Sequence, residues 1–410
     1  MSLHLSKRLI SAVTLVAATA ATVLTAGQAV ASTSSVASTS SSYTVAAAGC
    51  NAKPAAGSAA CNAYVRTSTV HRDSGTSTTS GYVPSQLQAA YGLTAASAAN
   101  GSTQTIAIVD AYNDPSAAAD LAVYRAAYGL TACTVASGCL KIVSQTGSTT
   151  SLPTKNGGWA EEESLDLDMA SAICQLCHID LVEASSASYA NLGTAENEAA
   201  TLGASVISNS WGGSESSSET SYDTSYFTHS GIIITASSGD SGYGVEWPAA
   251  SAKVVAVGGT SLSTASNTRG WTETAWSGAG AGCSSYESKL TGQSLVTTGC
   301  SKRAVADVSA VADPNTGVAV YDSYSYQGYV GWLEFGGTSV ASPLVASVFA
   351  LAGNESSVSN NTLYNYEGGT AFNEVTSGSD GTCSVTELCN AASPWGGPVG
   401  LGTPNGLTAF

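Results

Sequence analysis

The chain has 410 residues, with 29 acidic against 13 basic side chains, a net charge of −16, four histidines and ten cysteines; this is enough for one large domain or two ordinary ones. That acidity argues against a nucleic-acid or anionic-membrane partner. Only 10% of residues are charged while 43% are hydrophobic, which excludes a highly charged disordered chain and leaves enough apolar material for a sizeable core.

The N-terminus carries Lys7-Arg8, an apolar run over 9–24, and Ala29-Val30-Ala31 before Ser32. This charged, apolar and small-residue order is that of a secretory signal, with cleavage expected after Ala31. Residues 1–31 are thus read as a signal peptide, and the mature protein as secreted, extracellular and free of the membrane after signal cleavage. Residues 32–80 are rich in Ser, Thr and Ala without strand or helix period, and read as a linker or short pro-segment. Order is expected from Gly81-Tyr82-Val83-Pro84 onward.

Export makes the cysteines legible as disulfides. They fall into the close pairs Cys50/Cys61, Cys133/Cys139, Cys174/Cys177, Cys283/Cys300 and Cys383/Cys389, for which local pairing is the simplest connectivity. Cys174-Gln-Leu-Cys177 has the spacing of a redox or metal motif, but zinc needs further ligands and His178 alone is a poor one.

Short apolar, β-branched runs at 105–109, 179–182, 205–208, 231–236 and 254–257 predict buried strands. Helices are expected between and after them, at 116–128, 159–173, 189–202 and 339–351. The alternation implies an α/β fold, a mostly parallel β-sheet flanked by helices on both faces, with ligands bound beyond the carboxyl ends of the strands. The Gly/Ser/Tyr-rich stretch at 262–330 supports no assignment beyond loops and short strands.

Four places carry polar residues that such a core does not need. In Gly336-Gly337-Thr338-Ser339, a small-residue turn opens a helix and places Ser339 where backbone N–H groups face an oxyanion. The residue is equally well suited to be a helix cap. In the run Glu161-Glu162-Glu163-Ser164-Leu165-Asp166, Glu162 and Asp166 are one turn apart on one helix face, and Leu165, Met169, Ala172 and Leu176 form a neighbouring apolar stripe. Two carboxylates held that close share a proton, one titrating low and one high. The alternative is that acidic residues simply favour a first helical turn.

Ser238-Gly239-Asp240-Ser241-Gly242 follows one strand, and Asn209-Ser210-Trp211-Gly212-Gly213 another. A protonated Asp240 can donate to an oxyanion, and the backbone at Ser210, Trp211 and Gly212 can pair with an extended peptide. Each stretch taken alone is also ordinary turn chemistry. A histidine base for Ser339 is hard to find, since His4, His71, His178 and His229 all lie in unsuitable contexts.

Taken together, these motifs resemble the sedolisin family, the serine-carboxyl peptidases with a subtilisin-like fold. The resemblance covers about 81–410 and includes Val257-Gly258-Gly259-Thr260-Ser261, Asp307-Val308-Ser309-Ala310 and Gly400-Leu401-Gly402-Thr403-Pro404-Asn405-Gly406. It implies Ser339 as nucleophile, Glu162 as general base and acid, Asp166 as the carboxyl sharing its proton, and Asp240 as oxyanion donor. Asp110, at a strand end, has no histidine partner and is read as structural. The chain would then be a monomeric acid-acting endopeptidase of protein or peptide substrates, with 81–410 as the peptidase domain. The alternative is a catalytically silent peptide-binding protein on the same scaffold.

Two departures stand out. Only about fifty residues separate Ala31 from Gly81, where the family carries a long folded propeptide. The family's calcium loop also has Glu374-Val375 at its first position here, and Gly396 where a second carboxylate is expected. Calcium prefers several hard oxygen ligands, so the loss of one carboxylate weakens or abolishes that site.

Overall fold

The computed structural model describes residues 43–50, 53–68 and 80–410; the signal peptide read at 1–31 lies outside them. A largely parallel sheet runs in the order Trp271–Ala275, Val255–Thr264, Ile233–Ser237, Val206–Asn209, Thr105–Ala111, His178–Ala184, Leu140–Ser144, with Val308–Val311 pairing Val255–Thr264. Only Trp271–Ala275 is antiparallel to its neighbour. Its central strands are buried on both faces and are mostly apolar, with polar residues such as Asp110, Asn209 and Ser237 at or next to their carboxyl ends.

The expected strands and helices all form, within a few residues at their ends except that the strand expected at 254–257 runs on to Thr264 as Val255–Thr264. The sequence reading misses the strands Leu140–Ser144, Trp271–Ala275 and Val308–Val311. Two of these lie in the stretch left unassigned, where Trp271–Ala275 exposes Thr272 and Thr274 on an edge and buries Trp271, Glu273 and Ala275. The residues read as a linker also contain the strands Tyr43–Ala47, Ala60–Cys61 and Tyr64–Ser68. Their pairing partners are distant in sequence, so no local period announces them. All five disulfides join the expected pairs, and the joined sulfurs of Cys174 and Cys177, both fully buried, offer no thiolate to a metal.

Two helices pack side by side against the sheet and carry the site, Gly157–Ile173 and Thr338–Ala352. The first is capped by Asn156, whose side-chain oxygen accepts from the amides of Gly158 and Trp159 at 3.0 and 3.2 Å. The expected apolar stripe is only part of what it buries: Glu161, Glu162, Glu163, Asp166 and Asp168 are all at most 1% exposed. The second begins after Gly337 at φ 104° and ends at Gly353 in the left-handed region, φ 67°. Pro343 lies inside it and has no N–H for the Ser339 carbonyl one turn back. The Ser210 hydroxyl lies 3.3 Å from that carbonyl, but its single proton has a shorter path to Asp166 at 2.8 Å.

Candidate active site

The parallel strands deliver their carboxyl ends to one edge of the sheet. Asp110 ends Thr105–Ala111, Ser210 follows Val206–Asn209, and Asp240 lies just beyond Ile233–Ser237. The helices add Glu162 and Asp166 from one side and Ser339 from the other. The structure therefore brings together Ser339, Glu162, Asp166, Asp240 and Ser210 from four separate elements.

Ser339 Oγ donates to the carbonyl oxygen of Ser210 at 3.1 Å, and the neighbouring Glu162 carboxyl is lowered by the Ser339 hydroxyl against the larger upward effect of burial. Asp166 Oδ1 accepts from the Ser210 hydroxyl at 2.8 Å. Glu162 Oε1, Asp166 Oδ2 and both oxygens of Asp110 are buried without a hydrogen-bond partner. Burial is the main force raising Glu162 well above the ordinary carboxylate range, followed by the charges of Asp166 and Asp110. Asp166 is raised well above its range by burial and then by Asp110. The expectation that one of the pair titrates low is thus corrected: loss of water outweighs the single hydrogen bond each receives, so both are pushed up.

Asp240 is raised by burial as well, although Thr338 opposes this with two hydrogen bonds. Both reach Oδ1, from the Thr338 amide at 2.7 Å and its hydroxyl at 2.8 Å. Oδ2 is buried and unpartnered, and it lies beside Gly337, where a Cβ would press against it. A carboxyl kept neutral with a bare oxygen at a helix N-terminus can donate one hydrogen bond to a developing oxyanion.

Trp211 itself is a core residue, 0% exposed, with its indole N–H donating to the Val109 carbonyl at 2.9 Å. The backbone of Trp211 and Gly212 is what faces the cleft. Neither described histidine takes part: His178 bonds the Gly138 carbonyl and His229 that of Tyr226, while His4 and His71 lie outside the described residues.

The calcium candidates do not fit a cation cage. Glu374 is exposed and its carboxylate accepts from the Ser393 hydroxyl at 2.7 Å. A Cβ on Gly396 would collide with the Asn390 carbonyl and the Ala392 amide nitrogen, so the loop has no room for the missing carboxylate. Val375, expected to contribute through its backbone carbonyl, has a buried apolar side chain. Among the described residues the one cluster with metal-ligating atoms is Cys50, Cys61 and Glu162, and its sulfurs are spent in a disulfide.

The subtilase family model matches residues 173–380, about half of the chain. The chain belongs to the subtilase family. Among members with known activity, sedolisin from Pseudomonas sp. (strain 101) is 35% identical over 144 residues, covering 29% of this chain and 24% of that protein. Kumamolisin from Bacillus sp. (strain MN-32) is 30% identical over 300 residues, covering 65% of this chain and 53% of that protein. The chain therefore matches about a quarter and about half of the length of these curated relatives. Pseudomonas sedolisin, a serine-carboxyl proteinase solved with two molecules of pseudo-iodotyrostatin, superposes with a TM-score of 0.65 at 25% identity, over 80% of this subtilase and 96% of that chain. The resemblance read from the sequence, and the subtilisin-like fold it implies, are borne out.

Sequence reasoning missed three contributors. Thr338 holds Asp240, and the hydroxyl of Ser210 holds Asp166; both adjoin motifs that were noticed, but their partners are 98 and 44 residues away. The third is the segment around Asn62, which occupies the cleft and for which composition offers no signal beyond the Cys50/Cys61 pair.

Proposed function

We propose that this subtilase is a secreted serine-type endopeptidase that hydrolyses proteins in acid through Ser339, Glu162, Asp166 and Asp240. The observation that carries this reading is Ser339 at a helix N-terminus beside a buried carboxylate, with no histidine near it among the described residues. Glu162, sharing one proton with Asp166, takes the Ser339 proton as Oγ attacks the scissile carbonyl. The Ser339 amide and the protonated Oδ2 of Asp240 hold the oxyanion. Glu162 returns the proton to the leaving amine, then draws one from the water that clears the acyl-enzyme. The strand Trp211–Ser214 receives the substrate backbone by strand addition.

An imidazole would be fully protonated in acid and unable to act as a base, whereas two coupled carboxyls lose their protons one after the other, so the pair can hold a single proton between them. Secretion is supported by the charged, apolar, small-residue N-terminus and by five disulfides, which persist in an oxidising compartment. Among the described residues no helix is long and apolar enough to cross a membrane. Casein hydrolysis at acid pH is expected for the protein and is expected to vanish in Ser339→Ala. Full activity in that variant would overturn the reading.

A further inference from the structure

A stretch of backbone already lies through the site and shows what a bound chain touches on both sides of a scissile bond. Ala60 lies opposite Gly212 and Cys61 opposite Trp211 in antiparallel pairing. The Ser339 amide donates to the Asn62 carbonyl at 3.0 Å, and a Cβ on Gly337 would strike both that carbonyl oxygen and the Asp240 carboxylate. The Asn62 carbonyl therefore occupies the place of a scissile carbonyl, between a backbone donor and the bare oxygen of Asp240. In that register Ala63, Tyr64, Val65 and Arg66 stand where the first four residues beyond a cut would lie.

Those residues belong to a second sheet. Tyr43–Ala47, Tyr64–Ser68, Tyr329–Gly336 and Val318–Tyr326 lie side by side in that order, with Tyr64, Val65 and Arg66 opposite Gly336, Phe335 and Glu334 in antiparallel register. Gly337 alone separates the strand Tyr329–Gly336 from the helix that carries Ser339, so the edge of this strand continues the cleft away from the cut. Alternate residues share a face of a strand, which puts Tyr64 and Arg66 together. Tyr64 meets Trp276 edge to face, with ring centroids 6.1 Å apart, and its hydroxyl donates to the Asp240 carbonyl at 3.4 Å. Arg66 Nη1 donates to both carboxylate oxygens of Glu334, at 2.8 and 3.0 Å. Glu334 is only 5% exposed and also accepts from the Ser80 hydroxyl.

We propose that the edge of Tyr329–Gly336 binds the part of a substrate that follows the scissile bond, and that Glu334 selects a basic residue four positions past the cut. The proposal rests on the endopeptidase reading above. With residues 64–66 off this edge, an extended substrate adds to it through backbone hydrogen bonds, as they do. The second residue past the cut then packs on Trp276, which favours an aromatic ring. The fourth meets a carboxylate almost wholly covered by protein. Such a carboxylate is costly to leave without a cation, whereas an acidic residue brought there loses hydration and meets like charge. The two preferences fall two residues apart because successive side chains of a strand point to opposite faces. Glu334 takes no part in the chemistry of the cut; it decides which chain lies across Ser339.

The test is digestion of a randomised peptide library by the full-length protein, with each cut located by mass spectrometry and casein hydrolysis followed in parallel. Arg and Lys are expected about 10-fold more often than Asp and Glu at the fourth position past the cut, with aromatic residues enriched at the second. Glu334→Gln should flatten the fourth position and leave the second enriched, a separation that a merely structural role for Glu334 would not produce. Glu334→Lys should turn the fourth position toward Asp and Glu. Casein hydrolysis by a wild-type protein with no preference at the fourth position overturns this proposal and leaves the endopeptidase reading standing, as does the wild-type preference retained in Glu334→Lys. Failure to cut either casein or the library overturns the endopeptidase reading, and this proposal with it. Circular dichroism reports whether the variants fold, and the wild-type library profile decides the matter if they do not.

Discussion

One carboxylate oxygen of Asp240 takes both hydrogen bonds from Thr338, 2.7 Å from its amide and 2.8 Å from its hydroxyl, and leaves the other oxygen bare. The anchored oxygen fixes the direction of the free one. Asp240→Ala should therefore lower kcat by about 10²–10³-fold, the usual loss for one oxyanion donor. Asp240→Asn keeps an acceptor for Thr338 and gains a donor that does not titrate. It should retain more activity than Asp240→Ala, and its pH–rate profile should extend further toward neutral. A profile identical to that of the wild-type enzyme would show that Asp240 is not the titrating donor.

Ser210 joins Asp166 to the helix that carries Ser339. Ser210→Ala removes a hydrogen bond to a charged group, a loss of about 1.5–3 kcal/mol. Because Ser210 acts through Asp166, kcat should fall about 10–100-fold with KM little changed, and the acid limb of the pH profile should move upward. A rise in KM alone would assign Ser210 to substrate binding through its side chain.

Stability should be greatest in acid. Burial raises Asp110, Glu183, Glu196 and Asp322 to about 8, and Asp114 and Glu161 to about 7. A carboxyl with a raised folded pKa binds more protons folded than unfolded. Its contribution is full below the unfolded value near ~4 and is lost as pH climbs toward the folded value. Tm should decline from pH ~4 to pH ~8, measured on Ser339→Ala to avoid self-digestion. A maximum near neutrality would contradict this.

Arg303 and Asp307 form a fully buried bidentate pair at 2.6 Å on both arms, with the Tyr364 hydroxyl donating to the same carboxylate at 2.7 Å. The carboxylate also accepts from the Ala256 amide at 2.8 Å, tying the sheet to the loop before Val308–Val311. Asp307→Ala strands a buried guanidinium and should destabilise by about 3–5 kcal/mol, seen as a shift in the chemical denaturation midpoint. Urea titration of the inactive variant measures it.

The loop at Glu374 and Gly396 lacks the oxygen set for a bound cation. EDTA should leave Tm unchanged within error, and added calcium should not raise it. A calcium-dependent rise in Tm would place the site there after all, or elsewhere in the fold.

Local sequence alone determined much of this protein: the strands 105–109 and 179–182 are apolar enough to announce a buried parallel sheet, and Glu162 and Asp166 share a face because the helical turn repeats every 3.6 residues. The five disulfides follow from closeness in sequence, and the Gly-Thr-Ser turn locates the nucleophile before any fold is known. Tertiary structure decided what spacing cannot express. Burial of the whole run 161–168 pushes both members of the carboxyl pair upward, because desolvation depends on what packs over a helix rather than on its own order. Thr338 finds Asp240, and Ser210 finds Asp166, only when the sheet gathers its carboxyl ends at one edge. Asn62 looks like any polar residue of a Ser/Thr/Ala-rich stretch, and its place against Ser339 is set by pairing with Trp211 and Gly212, 150 residues further along.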